Sequence, residues 1–460
     1  MSYSDILAEW ATSLRFEDLP EQVISNTRLR VLDVIGLALA GRETAFGKSV
    51  VASTCDLTGS GSCGIIGGTE TVNVTGAAFA NGALSQALEF DDTHNRSIVH
   101  MSSPAVSAAL ALAQRDQLNG KDVITAIALG NEISCRIGSV APQQFHRRGF
   151  HPTGLFATFG VTVLASWLLN ANARQTANAQ GIAGSFASGL LQCWVDGTQS
   201  KFLHPGWAAQ AGIQAATLGK NGTTGPGEVY EGRFGLLASH LQNDNLALDW
   251  AMLTDNLGTH WESENASFKP FPVAHVIHPY IDALLRVKKA LGISADDIES
   301  IHCPVPEYQV GIVCEPLHEK RRPNSDSHGR VSLQFTLAEA MVSGKIDKFS
   351  YSPEALANQQ ILALADRIEF QVDETFPGPE QFKGEVSLVL KDGRTVTETE
   401  EFNRGSAKNP MPVADIIGKF TTNASGVISG EQQQAVIAMA LDLDNQEHAG
   451  DIISLTSPTS

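Results

Sequence analysis

No two cysteines in this chain are spaced Cys-x-x-Cys: the six lie at 55, 63, 135, 193, 303 and 314. That spacing supports neither a zinc knuckle nor a cysteine-ligated iron–sulfur cluster. In a chain of 460 residues it does not suggest a disulfide framework either, so six ordinary thiols are expected. Positive charge is also scarce: 32 lysines and arginines stand against 50 aspartates and glutamates, a formal charge of -18. Such a field repels nucleic acid and anionic membranes, while a small anion feels mainly its local pocket. No apolar run approaches the roughly 18 residues of a membrane span. Met1-Ser2-Tyr3-Ser4-Asp5 lacks the basic and apolar regions of a signal peptide. The expectation is a cytoplasmic protein with no nucleic-acid partner and no membrane partner.

What remains is an ordinary globular composition, 43% hydrophobic and 18% charged, in a chain long enough for at least two domains. Asp18-Leu19-Pro20-Glu21 starts a long buried helix whose apolar positions run from Val23 to a stop at Gly41. Gly59-Ser60-Gly61-Ser62-Cys63-Gly64 matches G-x-G-x-x-G on paper. No helix able to hold a pyrophosphate follows it, so it reads as a turn around a short strand. Stretches rich in Ala, Gly and Ser recur to about residue 265 and read as closely packed helices.

The pattern then changes. β-like runs appear at 301–313, 368–372 and 386–390, and Asp392-Gly393 turns the last of them into Thr395-Val396-Thr397. Helices are expected near 278–291 and 331–344, with a third starting at Ser352-Pro353-Glu354. The fold expected is mainly α: a large all-helical domain over residues 1–265, completed by 402–460, plus a smaller α+β domain over 266–401.

Polar residues that are costly to bury interrupt the apolar background in a few places. The densest is Glu89-Phe90-Asp91-Asp92-Thr93-His94, followed by His100. Others are Arg147-Arg148-Gly149-Phe150-His151-Pro152-Thr153-Gly154, Gly197-Thr198-Gln199-Ser200-Lys201 with His204, and Lys269-Pro270-Phe271-Pro272 with His275 and His278. Gly225-Pro226-Gly227-Glu228 precedes a loop carrying Arg233. Each lies in a loop or at a helix start, where catalytic groups are commonly mounted on a rigid scaffold.

Taken together, in this order and spacing, these segments resemble the MmgE/PrpD family, which includes 2-methylcitrate dehydratase, cis-aconitate decarboxylase and iminodisuccinate epimerase. The resemblance implies a helical domain built from both chain ends, an α+β lid, a homodimer, a site between the domains, and no metal or organic cofactor. It implies a small di- or tricarboxylate substrate and proton abstraction α to a carboxylate. Such a step adds negative charge to a group already anionic, so preorganised cations are needed. Lys201, Lys269, Arg147 or Arg148, and Arg233 are candidates; His151, His100 or a lysine of lowered pKa could serve as the base.

By resemblance, Thr93, His100, His151, Lys201 and Lys269 line the pocket. His151 and Lys201 are the first catalytic choices, with His100 a second acid or base. Asp91 and Asp92 are expected to orient the histidines, and Thr93, Lys269, His94, Arg147, Arg233 and His275 to bind substrate. His204 and His278 read more simply as helix caps or buried hydrogen-bonders. Glu89 stands where decarboxylases of the family tend to have aspartate, and no tyrosine aligns clearly with their lid tyrosine, Tyr308 being near. Citrate-like dehydration is therefore the first expectation, epimerisation of an iminodisuccinate-like acid the second and cis-aconitate-type decarboxylation the third. From a different class, Asp91, Asp92, His94 and His100 could be the ligands of a metal-dependent hydrolase.

Overall fold

The computed structural model describes residues 1–378 and 380–458. The chain is mainly α-helical with one small sheet-bearing unit, as its composition predicts. The helical unit comprises Met1–Ala87, Asp91–Ala266 and Pro412–Ser460; the second comprises Leu88–Phe90 and Ser267–Met411. The six thiols are free, and among the described residues no helix is long and apolar enough to cross a membrane.

In the helical unit, α1 (Glu21–Arg42) is buried on every side from Leu29 to Gly41. Pro20 sits at its N-cap, while Asp18 instead closes a short turn by accepting from the Arg15 amide at 2.8 Å. Gly41, the expected stop, lies inside the helix. A β-carbon there would collide with the carbonyl of Leu84 on α2 (Val74–Gln86), so the glycine permits close helix packing rather than ending a helix. Next come α3 (Ser102–Asp116), α4 (Gly120–Ser139), α5 (Pro152–Leu168) and α6 (His204–Lys220). Gly82 of α2 meets Gly206 of α6, and Gly130 of α4 meets Gly160 of α5, so small residues set these approaches. The Gly59–Gly64 segment forms a strand, Ser60–Gly64, paired with Thr71–Val72.

The second unit carries α7 (His278–Leu291), α8 (Leu333–Ser343) and a four-stranded sheet. Its strands are β1 (Ile298–Val305), β2 (Ile368–Val372), β3 (Gly384–Leu390) and β4 (Thr395–Glu400), in the order β2-β1-β3-β4. Val386, Leu388 and Leu390 alternate inward toward the side of α7 that buries Tyr280, Ile281 and Leu284. The hairpin turns at Asp392-Gly393, with Gly393 at φ 88. The β-like run expected over 301–313 is shorter than its hydrophobicity suggests. Pro306 cannot donate to a ladder, and helical turns occupy 307–314. Ser352 caps a single turn, Pro353–Leu356.

The second unit extends to Met411, because Phe268 N–H donates to Gly405 O at 3.0 Å and Asn403 N–H to Phe382 O at 3.1 Å. Beyond it, α9 (Val413–Ala424) lies on α1, where Phe420 covers Gly36 and Lys419 pairs with Asp33 at 2.7 Å. Burial pushes the Asp33 carboxyl up to about 6, against the pull of Lys419.

Candidate active site

In the helical unit, the loop entering α3 is held by two carboxylates with different tasks. Asp92 accepts from Arg30 Nη1 and from Ser102 Oγ, each at 2.5 Å, and from the Ser102 amide at 3.2 Å. It therefore anchors the first turn of α3 to α1, an anion at a helix N-terminus matched by a buried cation. Asp91 accepts at Oδ2 from Gln86 Nε2 and Ser103 Oγ, both at 3.0 Å, and its Oδ1 lies 3.3 Å from His100 Nδ1.

His100 Nδ1 also faces the Asp92 carbonyl at 2.9 Å and Thr93 Oγ1 at 3.3 Å, while its backbone N–H donates to Thr153 Oγ1 at 2.9 Å. A carboxylate and a carbonyl only accept, so Nδ1 carries the hydrogen. In the neutral ring the lone pair is then on Nε2, the arrangement a general base requires.

His151 is the residue before Pro152 and forms the N-cap of α5, with its amide donating to Gly189 O at 3.0 Å. Its ring centroid lies 5.6 Å from that of His100, and its Nδ1 lies 2.8 Å from His204 Nδ1 at the start of α6. His151 Nε2 is buried and makes no hydrogen bond among the described residues. Lys201 is buried in the turn Ser200–Leu203, its Nζ 5.4 Å from the centre of the Trp194 ring, on whose edge His146 packs at 4.8 Å.

Burial, then the charge that His204, Lys201, His100 and His146 set against it when protonated, hold His151 well below the ordinary histidine range. Burial and Lys201 take His204 down to about 4, and burial, Lys201 and His100 take His146 to about 4. These three imidazoles are therefore neutral at pH 7.

A histidine that is harder to protonate in the fold than in the unfolded chain contributes stability above about 6.5 that is lost as pH falls through about 4. Melting temperature is expected to drop across that window. His146→Phe, which keeps the packing on Trp194, should reduce the drop, and a flat wild-type profile between those values would contradict the assignment.

In the second unit, two buried cations hold consecutive carbonyls of the tripeptide Leu88–Phe90. Lys269 Nζ donates to Glu89 O at 3.0 Å, and Arg330 Nη1 donates to Leu88 O at 3.3 Å and Pro272 O at 2.8 Å. Glu89 takes the left-handed backbone conformation, φ 53, which costs energy for a residue other than glycine. His275 Nε2 accepts from Asn403 Nδ2 at 2.9 Å, and His278 Nε2 donates to Val273 O at 3.2 Å.

A family model for the MmgE/PrpD N-terminal domain matches residues 5–249, and one for the MmgE/PrpD C-terminal domain matches residues 271–445. The chain belongs to the MmgE/PrpD family. A cis-aconitate decarboxylase-like protein of Aspergillus oryzae is 24% identical, the match covering 98% of this chain and 96% of the relative. The cis-aconitate decarboxylase of Aspergillus terreus is 25% identical, covering 98% and 94%, and that of Mus musculus is 26% identical, covering 97% and 91%.

Of the residues the sequence singled out in this MmgE/PrpD chain, the helical unit gathers Asp91, Thr93, His100, His151 and Lys201. His94 is different: it is fully buried, its Nδ1 lies 2.7 Å from Ser97 Oγ and its Nε2 3.2 Å from Glu262 Oε1, so no ring nitrogen is left for substrate. Burial would raise the Glu262 carboxyl, but the bonds from His94 and His260 outweigh it and hold it at about 2. The Asp92 carboxylate does not orient a histidine; only its backbone carbonyl does, because Arg30 and Ser102 occupy the side chain. Arg147 and Arg233 are exposed, the latter stacked 4.9 Å from the centre of the Phe234 ring, so neither is preorganised.

The metal-ligand alternative also fails on geometry. Among the described residues no three His, Cys, Asp or Glu are grouped to hold a metal ion, since Asp92 and His94 point to separate partners.

Residues with no place among the sequence candidates are Arg30, Gln86, His146 and Arg330, whereas Ser103 follows the His100 segment directly. Only Arg330 carried a signal, as a lone charge directly before the apolar start of α8.

Proposed function

We propose that this protein is a cofactor-independent lyase of the MmgE/PrpD type that removes a proton α to a carboxylate of a small di- or tricarboxylate, with dehydration of a citrate-like hydroxy acid as the leading reaction. The observation that carries this reading is the pair of imidazoles with ring centroids 5.6 Å apart, one held by Asp91 with its Nε2 lone pair exposed to chemistry, the other buried with an unbonded Nε2. His100 Nε2 takes the carbon-bound proton. His151 Nε2–H gives a proton to the departing hydroxide, so that water leaves. Lys201 places an ammonium where negative charge grows on the substrate carboxylate, a favourable interaction in a dry site. Thr93 steadies His100 or contacts the carboxylate beside it.

A second reading is favoured by the relatives, which are named cis-aconitate decarboxylases. Here carbon dioxide leaves, its bonding electrons remain on carbon, and His151 Nε2–H protonates that carbon. Both reactions use His151 as acid and Lys201 against the growing negative charge, but decarboxylation removes no carbon-bound proton and so needs no base at His100.

The test is proton NMR in deuterated water with citrate, 2-methylcitrate, cis-aconitate and iminodisuccinate. Deuterium incorporation α to a carboxylate is expected, with an alkene product marking dehydration and carbon dioxide marking decarboxylation; an inverted centre would mark epimerisation instead. His151→Ala and Lys201→Ala should each lower turnover by about 10²–10⁴-fold. Turnover unchanged in both variants would sink the assignment.

A further inference from the structure

His151 and His204 come from different helix starts, 53 residues apart, yet their Nδ1 atoms lie 2.8 Å from each other. Two imidazole nitrogens approach this closely only when one donates a hydrogen and the other accepts it. One proton is therefore shared, and its position sets the tautomer of both rings. With the hydrogen on His204 Nδ1, His151 must carry its own at Nε2 and is a proton donor there. With the hydrogen on His151 Nδ1, Nε2 is a lone pair and His151 is an acceptor.

The surroundings favour a neutral pair. His151 is 1% exposed, and Lys201, His100 and His146 are the charged or titratable neighbours that bear on it besides His204. His204 is only half-buried and opens its helix. Gly189 connects the two residues: its carbonyl accepts the His151 amide, and a β-carbon on it would press on the His204 ring at 3.3 Å.

We propose that His204 is a positioning residue that relays protons to His151, switching it between acid and base through the shared Nδ1 hydrogen; this rests on the acid–base role for His151 proposed above. When the His151 Nε2–H bond breaks, its electron pair stays on the ring. The Nδ1–H bond of His204 breaks as the Nδ1–H bond of His151 forms, and His204 Nε2 takes a replacement proton from solvent water, leaving a hydroxide that the proton released afterwards by His100 neutralises. Both rings end neutral with their tautomers exchanged. The reverse transfer resets the pair, so no imidazolium or imidazolate need accumulate at His151 or His204, where either would be costly.

The experiment combines two measurements on the full chain. In protein labelled with 15N-histidine, wild type should show through-hydrogen-bond coupling between the two Nδ1 nuclei, and His204→Asn, which can bond but not relay, should lock His151 in one tautomer. In the deuterated-water assay, with cis-aconitate and citrate as probes, His204→Asn should lower kcat about 100-fold, change KM less than about 3-fold and reduce the solvent isotope effect on kcat. Absence of the nitrogen–nitrogen coupling in wild type overturns the proposal without any variant. So does full kcat in His204→Asn when His151→Ala is inactive. If His151→Ala keeps full turnover, the acid–base reading of the site fails, and the relay with it.

Discussion

Asp91→Asn is expected to lower kcat by about 10²–10⁴-fold with little change in KM, although it alters one atom. Asp91 Oδ2 is committed to Gln86 Nε2 and Ser103 Oγ, which donate to it. An asparagine satisfying those two donors must place its oxygen toward them and its NH2 toward His100. The NH2 would then face the Nδ1 hydrogen donor to donor, leaving the Asp92 carbonyl at 2.9 Å to hold that hydrogen, so the tautomer with its lone pair on Nε2, which the proposed base needs, is less populated. Steady-state kinetics on the deuterated-water substrates would measure the loss, and the 15N shifts of His100 would show the tautomer change. Normal turnover with His100 in the exchanged tautomer would remove His100 from the role of base.

The second large effect concerns the fold. Arg30→Ala leaves Asp92 buried with its ion-pair partner gone, and loss of one member of a buried pair costs about 3–5 kcal/mol. Urea unfolding should show the loss as an early transition. Arg30→Met combined with Asp92→Leu should recover much of it, because an apolar pair of similar volume needs no compensating charge. Recovery should stay incomplete, since Asp92 also accepts from the Ser102 amide and hydroxyl at the start of α3. If Arg30→Ala unfolds at the wild-type urea concentration, the pair is not what holds this loop.

Much of the molecule was legible in its sequence. Small-residue helices show in composition because Ala and Gly allow close backbone approach, and the hairpin at Asp392-Gly393 shows because few residues adopt its turn. In sequence Gly41 looks like a helix stop, but in the fold it is a packing contact, since both uses exploit the same missing side chain. The strand run ended early at Pro306, whose effect on a ladder was available in the sequence and outweighed by the apolar residues after it.

Within the site, residue type and spacing selected the polar segments and the family. They did not separate Asp91 from Asp92, or His94 from His100. Each pair looks alike in sequence, yet Asp92 is taken by Arg30 and His94 by Glu262, partners 62 and 168 positions away. His204 looked like a helix cap, and only the fold brings its Nδ1 to His151. The sequence by itself determined the helical class, the family and the set of groups able to do acid–base chemistry. The tertiary structure decided which of those groups keep a lone pair or proton to use, because each polar atom has few hydrogen bonds to make and distant partners claim most of them.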